Sequence, residues 1–144
     1  MTVPLPPSLP PLAALLPRLV DLAEAAGAAI EACRRSGVLD VRAKGDGSPV
    51  GRADTEAHAV IARGLAAITA DVPVVSEEGE IADAHTRAGW TTWWLVDPLD
   101  GTKEFLAGVP DYTVNIALIH DGVPVAGVVH ATGRGVTYLS LIHI

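Results

Sequence analysis

Residues 93–105 read Trp93-Trp94-Leu95-Val96-Asp97-Pro98-Leu99-Asp100-Gly101-Thr102-Lys103-Glu104-Phe105, and this stretch sets the architecture expected of the chain. Its first four residues form a continuous apolar run, the pattern of a strand covered on both faces, and the run stops at a carboxylate. Pro98 fixes its own φ and biases Asp97 toward an extended conformation, while Gly101 permits a sharp turn. Asp97, Asp100 and the Leu99 carbonyl can therefore converge at the strand's end. Three hard oxygen donors on a short arc suit Mg²⁺, which takes carboxylate, carbonyl and water in octahedral geometry. The alternative is an ordinary surface turn, because Asp-Pro and Asp-Gly are common turn dipeptides.

A second segment, Val72-Pro73-Val74-Val75-Ser76-Glu77-Glu78-Gly79, repeats the pattern of a short apolar strand running into acids. If the two strands are parallel neighbours, Glu77 reaches the same sheet edge as Asp97 and Asp100, where open α/β sheets commonly bind ligands. A solvated acidic loop is the competing reading. Before it, apolar positions Leu15, Leu16, Leu19, Leu22, Ala23, Ala26, Ile30 and Cys33 recur at three and four. They mark an amphipathic helix from Leu12 to about Ser36-Gly37. Val41 to Val50 reads as a loop or ragged hairpin. A second helix begins near Ala53 or Asp54, with Ala57, Ile61, Leu65 and Ile68 on one face. In its first turn Asp54 also complements the helix dipole, which alone would account for an acid there. Ile81 to Gly89 lacks periodicity and reads as a mobile excursion. Tyr112 to Ile119 and Val123 to His130 flank Asp121-Gly122, a strong hairpin signal, and Gly135 to Leu139 reads as a third antiparallel strand. His120 and His130 fall within this sheet.

The chain of 144 residues suits one domain, and 49% hydrophobic content is enough for a substantial core. The net charge of -7 argues against nonspecific binding to nucleic acid or to an anionic membrane. Cys33 is the single cysteine, so no internal disulfide forms, which is compatible with a reducing cytosol. The expected location is cytoplasmic, either free or peripheral at the inner face of the membrane. Arg18, Asp21 and Glu24 interrupt the first helix, so it is not a transmembrane span. The proline-rich stretch Met1 to Pro11 reads as a disordered lead-in and lacks the pattern of a secretory signal.

The series Ser48-Pro49-Val50 with Ala53-Asp54, then Val75-Ser76-Glu77-Glu78, then Trp94 through Phe105, then Thr113 through Ile119, resembles the inositol monophosphatase superfamily. Within it, the 3'(2'),5'-bisphosphate nucleotidases of the CysQ type are most similar. The likeness covers about residues 15 to 139. It implies a layered α/β, or α+β sandwich, sugar-phosphatase fold and hydrolysis of a phosphate monoester with two or three Mg²⁺ ions, inhibited by Li⁺. By the same resemblance, Glu77, Asp97, the Leu99 carbonyl and Asp100 match metal ligands. Asp54 and Thr102 match the pair that orients the attacking water, Asp54 lying near a further metal. Gly101 and Thr102 match positions whose backbone N–H groups hold the substrate phosphate. The implied substrate is 3'-phosphoadenosine 5'-phosphate, released as AMP and phosphate. An inositol or other sugar monophosphatase is the runner-up, and the Lys103-Glu104-Phe105 continuation leans toward the nucleotidases.

Three departures accompany the resemblance. Gly51 stands where the family usually has a capping Thr, and Thr132 where a Pro is expected. The chain also ends where the family continues for about as long again, through a Trp-Asp motif that supplies another metal ligand. Residues 12–139 are therefore expected to be the N-terminal metal-binding portion, with 140–144 an atypical tail. On that reading the sequence is a truncated or mis-joined frame, and a catalytically silent metal-binding fragment is the third possibility.

Overall fold

The structure, a computed structural model, describes residues 4–45 and 49–142. Helix α1 spans Leu12–Ser36 and ends at Gly37 in the left-handed conformation. A two-stranded antiparallel ladder follows, β1 Arg42–Ala43 with β2 Pro49–Val50. Helix α2 is Arg52–Ile68 and strand β3 is Val74–Ser76. The short α3 is Ala84–Ala88, β4 is Thr92–Asp100 and the short α4 is Thr102–Leu106. Strands β5 Thr113–His120, β6 Val123–Ala131 and β7 Val136–Leu141 complete the chain. Five strands form one sheet in the order β3-β4-β5-β6-β7. β3 and β4 are parallel, and every other pair is antiparallel.

The helices cover one face of this sheet. Leu15, Leu19 and Ile30 of α1 and Ile61 and Leu65 of α2 are fully buried against Trp94, Val114, Ile116 and Leu118. Each large aliphatic side chain buried this way contributes about 1.5–3 kcal/mol. Trp94 is buried with its polar atom satisfied, since the indole N–H donates to Thr69 Oγ1 at 3.0 Å.

Among the described residues the opposite face is exposed. Register places Asp97 opposite Asn115, Asn115 opposite Val129 and Val129 opposite Tyr138. The next row on that face is Leu95, Ala117, Gly127 and Ser140. Leu95 is 43% and Tyr138 63% exposed, and a concavity of about 490 Å³ lies along these rows. A continuous apolar run reports that a strand is central and cannot say which of its faces has a partner.

Local differences have local causes. β4 does not end at Asp97 but runs to Asp100, with a break in register between them. Pro98 has no N–H to give the ladder, so the strand bulges there and re-aims the residues that follow. The stretch 81–89, read as a mobile excursion, contains α3, capped by Asp83 accepting the Thr86 N–H at 2.7 Å. In the proline-rich lead-in, the Leu9 N–H donates to the Pro6 carbonyl at 3.0 Å and Leu9 packs against the core. Residues 1–3, residues 46–48 with Ser48 of the Ser48-Pro49-Val50 motif, and His143 and Ile144 of the tail lie outside the described residues. β7 continues to Leu141, beyond the boundary read at Leu139. Among the described residues, no helix is long and apolar enough to cross a membrane.

Candidate metal centre

Two strand ends and one helix start converge at a single edge of the sheet. Val75 and Ser76 of β3 pair with Leu95 and Val96 of β4, so Glu77 and Asp97 emerge side by side. Pro98 and Leu99 carry the chain over the edge to Asp100, and Gly101 turns it into α4 at φ 91. A cleft of about 290 Å³ opens there, lined by Glu77, Asp97, Leu99, Asp100, Gly101 and Thr102, with Lys44, Lys103 and Glu104 at its sides. Six of the seven residues expected at the site thus share one cleft. The seventh, Asp54, lies behind it and reaches it through Thr102, whose hydroxyl donates to Asp54 Oδ2 at 3.1 Å.

Asp54 is 1% exposed, in the first turn of α2. Its Oδ1 accepts the Gly51 N–H at 3.2 Å, satisfying a donor at the helix start. Gly51 has no side chain to return the bond, so the missing Thr costs half of the reciprocal cap. Burial raises the Asp54 pKa above the usual carboxylate range, opposed by the Gly51 N–H, while the Glu78 charge adds to the rise. The same residue therefore serves both readings of the sequence: it caps α2 and holds Thr102.

Among the described residues, Asp97 bears the most perturbed carboxyl. Burial, then the charges of Glu77 and Asp100, push its pKa up to about 6. Its Oδ1 is buried with no hydrogen-bond partner, and so is Asn115 Oδ1 on the strand opposite. Two adjacent acceptors without donors are unusual, because an unpaired buried polar atom costs about 1–3 kcal/mol. Asn115 Nδ2 points the other way, to Asp100 Oδ2 at 3.5 Å. Among the described residues, no three of the Asp, Glu, His and Cys side chains close on one point to hold an ion. Mg²⁺ does not require that: one or two carboxylates, a carbonyl such as that of Leu99, and waters suffice. The orphaned Asp97 oxygen, the mutual repulsion of Glu77, Asp97 and Asp100 and the all-oxygen donor set fit such a cation.

Sequence reading missed three contributors. Lys44 Nζ lies 2.6 Å from Glu78 Oε1 and 3.5 Å from Glu77 Oε2, so a cation already sits beside the acidic turn. Burial works against its charge, but the Glu78 hydrogen bond and the charges of Glu78 and Glu77 outweigh it and raise the Lys44 pKa. Glu78, not Glu77, is the acid drawn in from solvent. Nothing in the turn-rich segment around Lys44 signals this, because the contact spans more than thirty residues. Asn115 was read only as a strand residue, although alternation from Asp97 in a paired strand could have flagged it.

The layered helix-on-sheet fold and the acidic cleft at its strand ends define a mixed α/β protein built to gather charged groups at one sheet edge. The chain belongs to the inositol monophosphatase family, whose family model matches residues 12–140. It is 47% identical over 125 residues to the 3'(2'),5'-bisphosphate nucleotidase CysQ of Escherichia coli K12, covering 86% of this chain and 50% of that protein. The Haemophilus influenzae protein of the same name is 35% identical over 103 residues, 72% of this chain and 38% of its own length. Among solved structures, CysQ from Bacteroides thetaiotaomicron is 40% identical with a TM-score of 0.66, over 86% of this chain and 44% of that one. Extragenic suppressor protein suhB from Bartonella henselae is 30% identical with a TM-score of 0.76, over 89% and 48%. The chain spans about half the length of the curated relatives it matches.

Proposed function

We propose that this chain carries the metal-binding and water-orienting part of a Mg²⁺-dependent phosphate monoester hydrolase. The reading is of a 3'(2'),5'-bisphosphate nucleotidase that converts 3'-phosphoadenosine 5'-phosphate to AMP and phosphate in the cytoplasm. The observation that carries it is the Thr102 to Asp54 hydrogen bond at the wall of the carboxylate cleft, in a chain 47% identical to a 3'(2'),5'-bisphosphate nucleotidase.

Glu77, Asp97, Asp100 and the Leu99 carbonyl would hold Mg²⁺, with Asp54 beside a further ion, two or three in all. Bound there, Mg²⁺ would neutralise the phosphoryl oxygens, ease ionisation of water and stabilise the leaving alkoxide. The protein's own part is geometric. Thr102 gives its only hydroxyl proton to Asp54, so its lone pairs are left to accept from the attacking water and aim that water's oxygen at phosphorus. Glu77, at the cleft rim, would hold the ion that the attacking water faces. The backbone N–H groups of Gly101 and Thr102, at the start of α4, would hold the substrate phosphate. No side chain needs to act as nucleophile.

An inositol or other sugar monophosphatase is the second reading, favoured by the fold likeness to suhB. Phosphate release separates the two. The chain would be assayed alone and fused to the remaining half of the E. coli relative, with 3'-phosphoadenosine 5'-phosphate and with inositol 1-phosphate, in Mg²⁺, EDTA and Li⁺. The nucleotidase reading expects the fusion to prefer the nucleotide, to lose activity in EDTA and to be inhibited by Li⁺, with the chain alone silent. Preference for inositol 1-phosphate would transfer the site to the second reading, and Mg²⁺-independent turnover would refute both.

A further inference from the structure

Helix α2 holds the acidic cleft at two points one turn apart. The first is Asp54 on Thr102. The second is His58, whose Nδ1 lies 2.9 Å from Ser76 Oγ. Positions four apart share a helix face, so the two side chains leave α2 on the same side. Ser76 ends β3, is 2% exposed and opens the turn that carries Glu77 and Glu78. Its hydroxyl also accepts the Glu78 N–H at 3.4 Å, and its carbonyl accepts the Gly79 N–H at 3.2 Å. The far side of the turn rests on the same imidazole: a Cβ at Gly79 would stand 3.0 Å from His58 Cε1 and 3.4 Å from Nε2. The ring is thus held between α2 and both ends of the four-residue turn.

A hydroxyl that accepts from Glu78 keeps one proton, which a neutral imidazole accepts at Nδ1. That fixes the Ser76 rotamer and, through it, the peptide plane from which Glu77 projects. A loop of four residues at a sheet edge has no other anchor of this kind on the α2 side among the described hydrogen bonds.

We propose that His58 is a positioning residue for the metal centre: through Ser76 it sets the turn that presents Glu77 to the cation. The proposal rests on the cleft being a metal site, as argued above. Residues that orient a metal ligand through a hydrogen bond cost roughly 10–100-fold in metal affinity when removed. The prediction therefore concerns affinity for the ion, whatever the turnover.

The test is Mn²⁺ binding to the 144-residue chain, followed by the loss of the free-ion electron paramagnetic resonance signal, with thermal melting in EDTA as the measure of folding. His58→Ala should weaken Mn²⁺ binding about tenfold or more, with a melting temperature close to the parent's. His58→Asn, which keeps a polar atom near the Nδ1 position, should recover most of that loss. Ser76→Ala should weaken binding as much as His58→Ala, and the double variant should be no worse than either, because both remove one interaction. If His58→Ala does not fold, the comparison of Ser76→Ala with His58→Asn carries the same test. Unchanged affinity in His58→Ala or Ser76→Ala, while Asp97→Asn abolishes binding, overturns the proposal and leaves the metal site standing. Failure of the parent chain to bind Mn²⁺, or binding insensitive to Asp97→Asn, overturns the metal reading and this proposal together.

Discussion

Thr102 and Asp54, 48 positions apart, meet through a 3.1 Å hydrogen bond that ties the first turn of α2 to the turn after β4. Asp54 is the nearer acceptor for the Thr102 hydroxyl, the Leu99 carbonyl lying at 3.4 Å, and the other Asp54 carboxylate oxygen accepts the Gly51 N–H. A water facing Thr102 therefore meets an acceptor.

From this follows the effect of Thr102→Ala in the fused, active enzyme. Losing an orienting group that acts in the transition state should lower kcat by about 100-fold and leave KM nearly unchanged. Thr102→Ser, which retains the hydroxyl, should recover most of the rate. Steady-state kinetics decide it: a pure rise in KM would place Thr102 in ground-state binding.

Asp97→Asn should separate stability from function. The variant removes a carboxylate crowded by Glu77 and Asp100, so the metal-free chain should melt at a higher temperature than the parent in EDTA near pH 7.5. The same change should nearly abolish hydrolysis by the fusion at saturating Mg²⁺, since a ligand charge is lost. Scanning fluorimetry and phosphate release measure the two halves. A lower melting temperature would mean that Asp97 is not strained by its neighbours.

The metal-free chain should also lose stability as pH rises from 3.8 to about 6, the ordinary and the folded pKa of Asp97. A raised carboxyl pKa means the folded state binds more protons than the unfolded state within that window, so deprotonation opposes folding. Urea denaturation in EDTA across the window should show a fall that Asp97→Asn reduces. Other carboxylates set a background common to both chains, so the difference between the two curves is the quantity to read.

Gly101→Ala should be among the most damaging single-methyl additions. Gly101 sits at φ 91, and a Cβ there would stand 2.7 Å from the Asp111 carbonyl and 3.3 Å from the Tyr112 Cα. The opposing segment cannot retreat easily, because Tyr112 donates to Glu31 of α1 and packs edge-on against Phe105 with ring centroids 5.2 Å apart. Backbone strain of this kind costs about 1–3 kcal/mol before the clash is counted. Urea midpoints of parent and variant should differ accordingly, and equal midpoints would show that the turn relaxes.

The open sheet face should drive self-association of the isolated chain. Leu95, Val129 and Tyr138 expose apolar surface on adjoining rows beside the cleft, and contiguous patches of that kind promote association. Sedimentation velocity at increasing concentration should show oligomers that diminish in a Leu95→Lys, Tyr138→Lys double variant. A monomeric parent at high concentration would show that the face is adequately solvated.

What the sequence determined by itself is the two long helices, the five strands of the sheet and the acidic ends of two of those strands, but not the short α3 and α4. Periodicity in α1 and α2 follows from burying one helical stripe, and the Asp121-Gly122 turn follows from the positive φ that both residues adopt, 51 and 75. Two similar strands that run into acids raised parallel pairing only as a condition, and the structure's pairing of β3 with β4 is what brings Glu77 beside Asp97. Tertiary structure alone decided the rest. The bulge after Asp97, the exposure of Leu95, the burial of Glu78 on Lys44 and the hold of His58 on Ser76 all depend on which surfaces meet. Local pattern encodes a residue's preference for apolar or polar surroundings, whereas a hydrogen bond or ion pair between distant positions exists only once the chain has closed the distance between them.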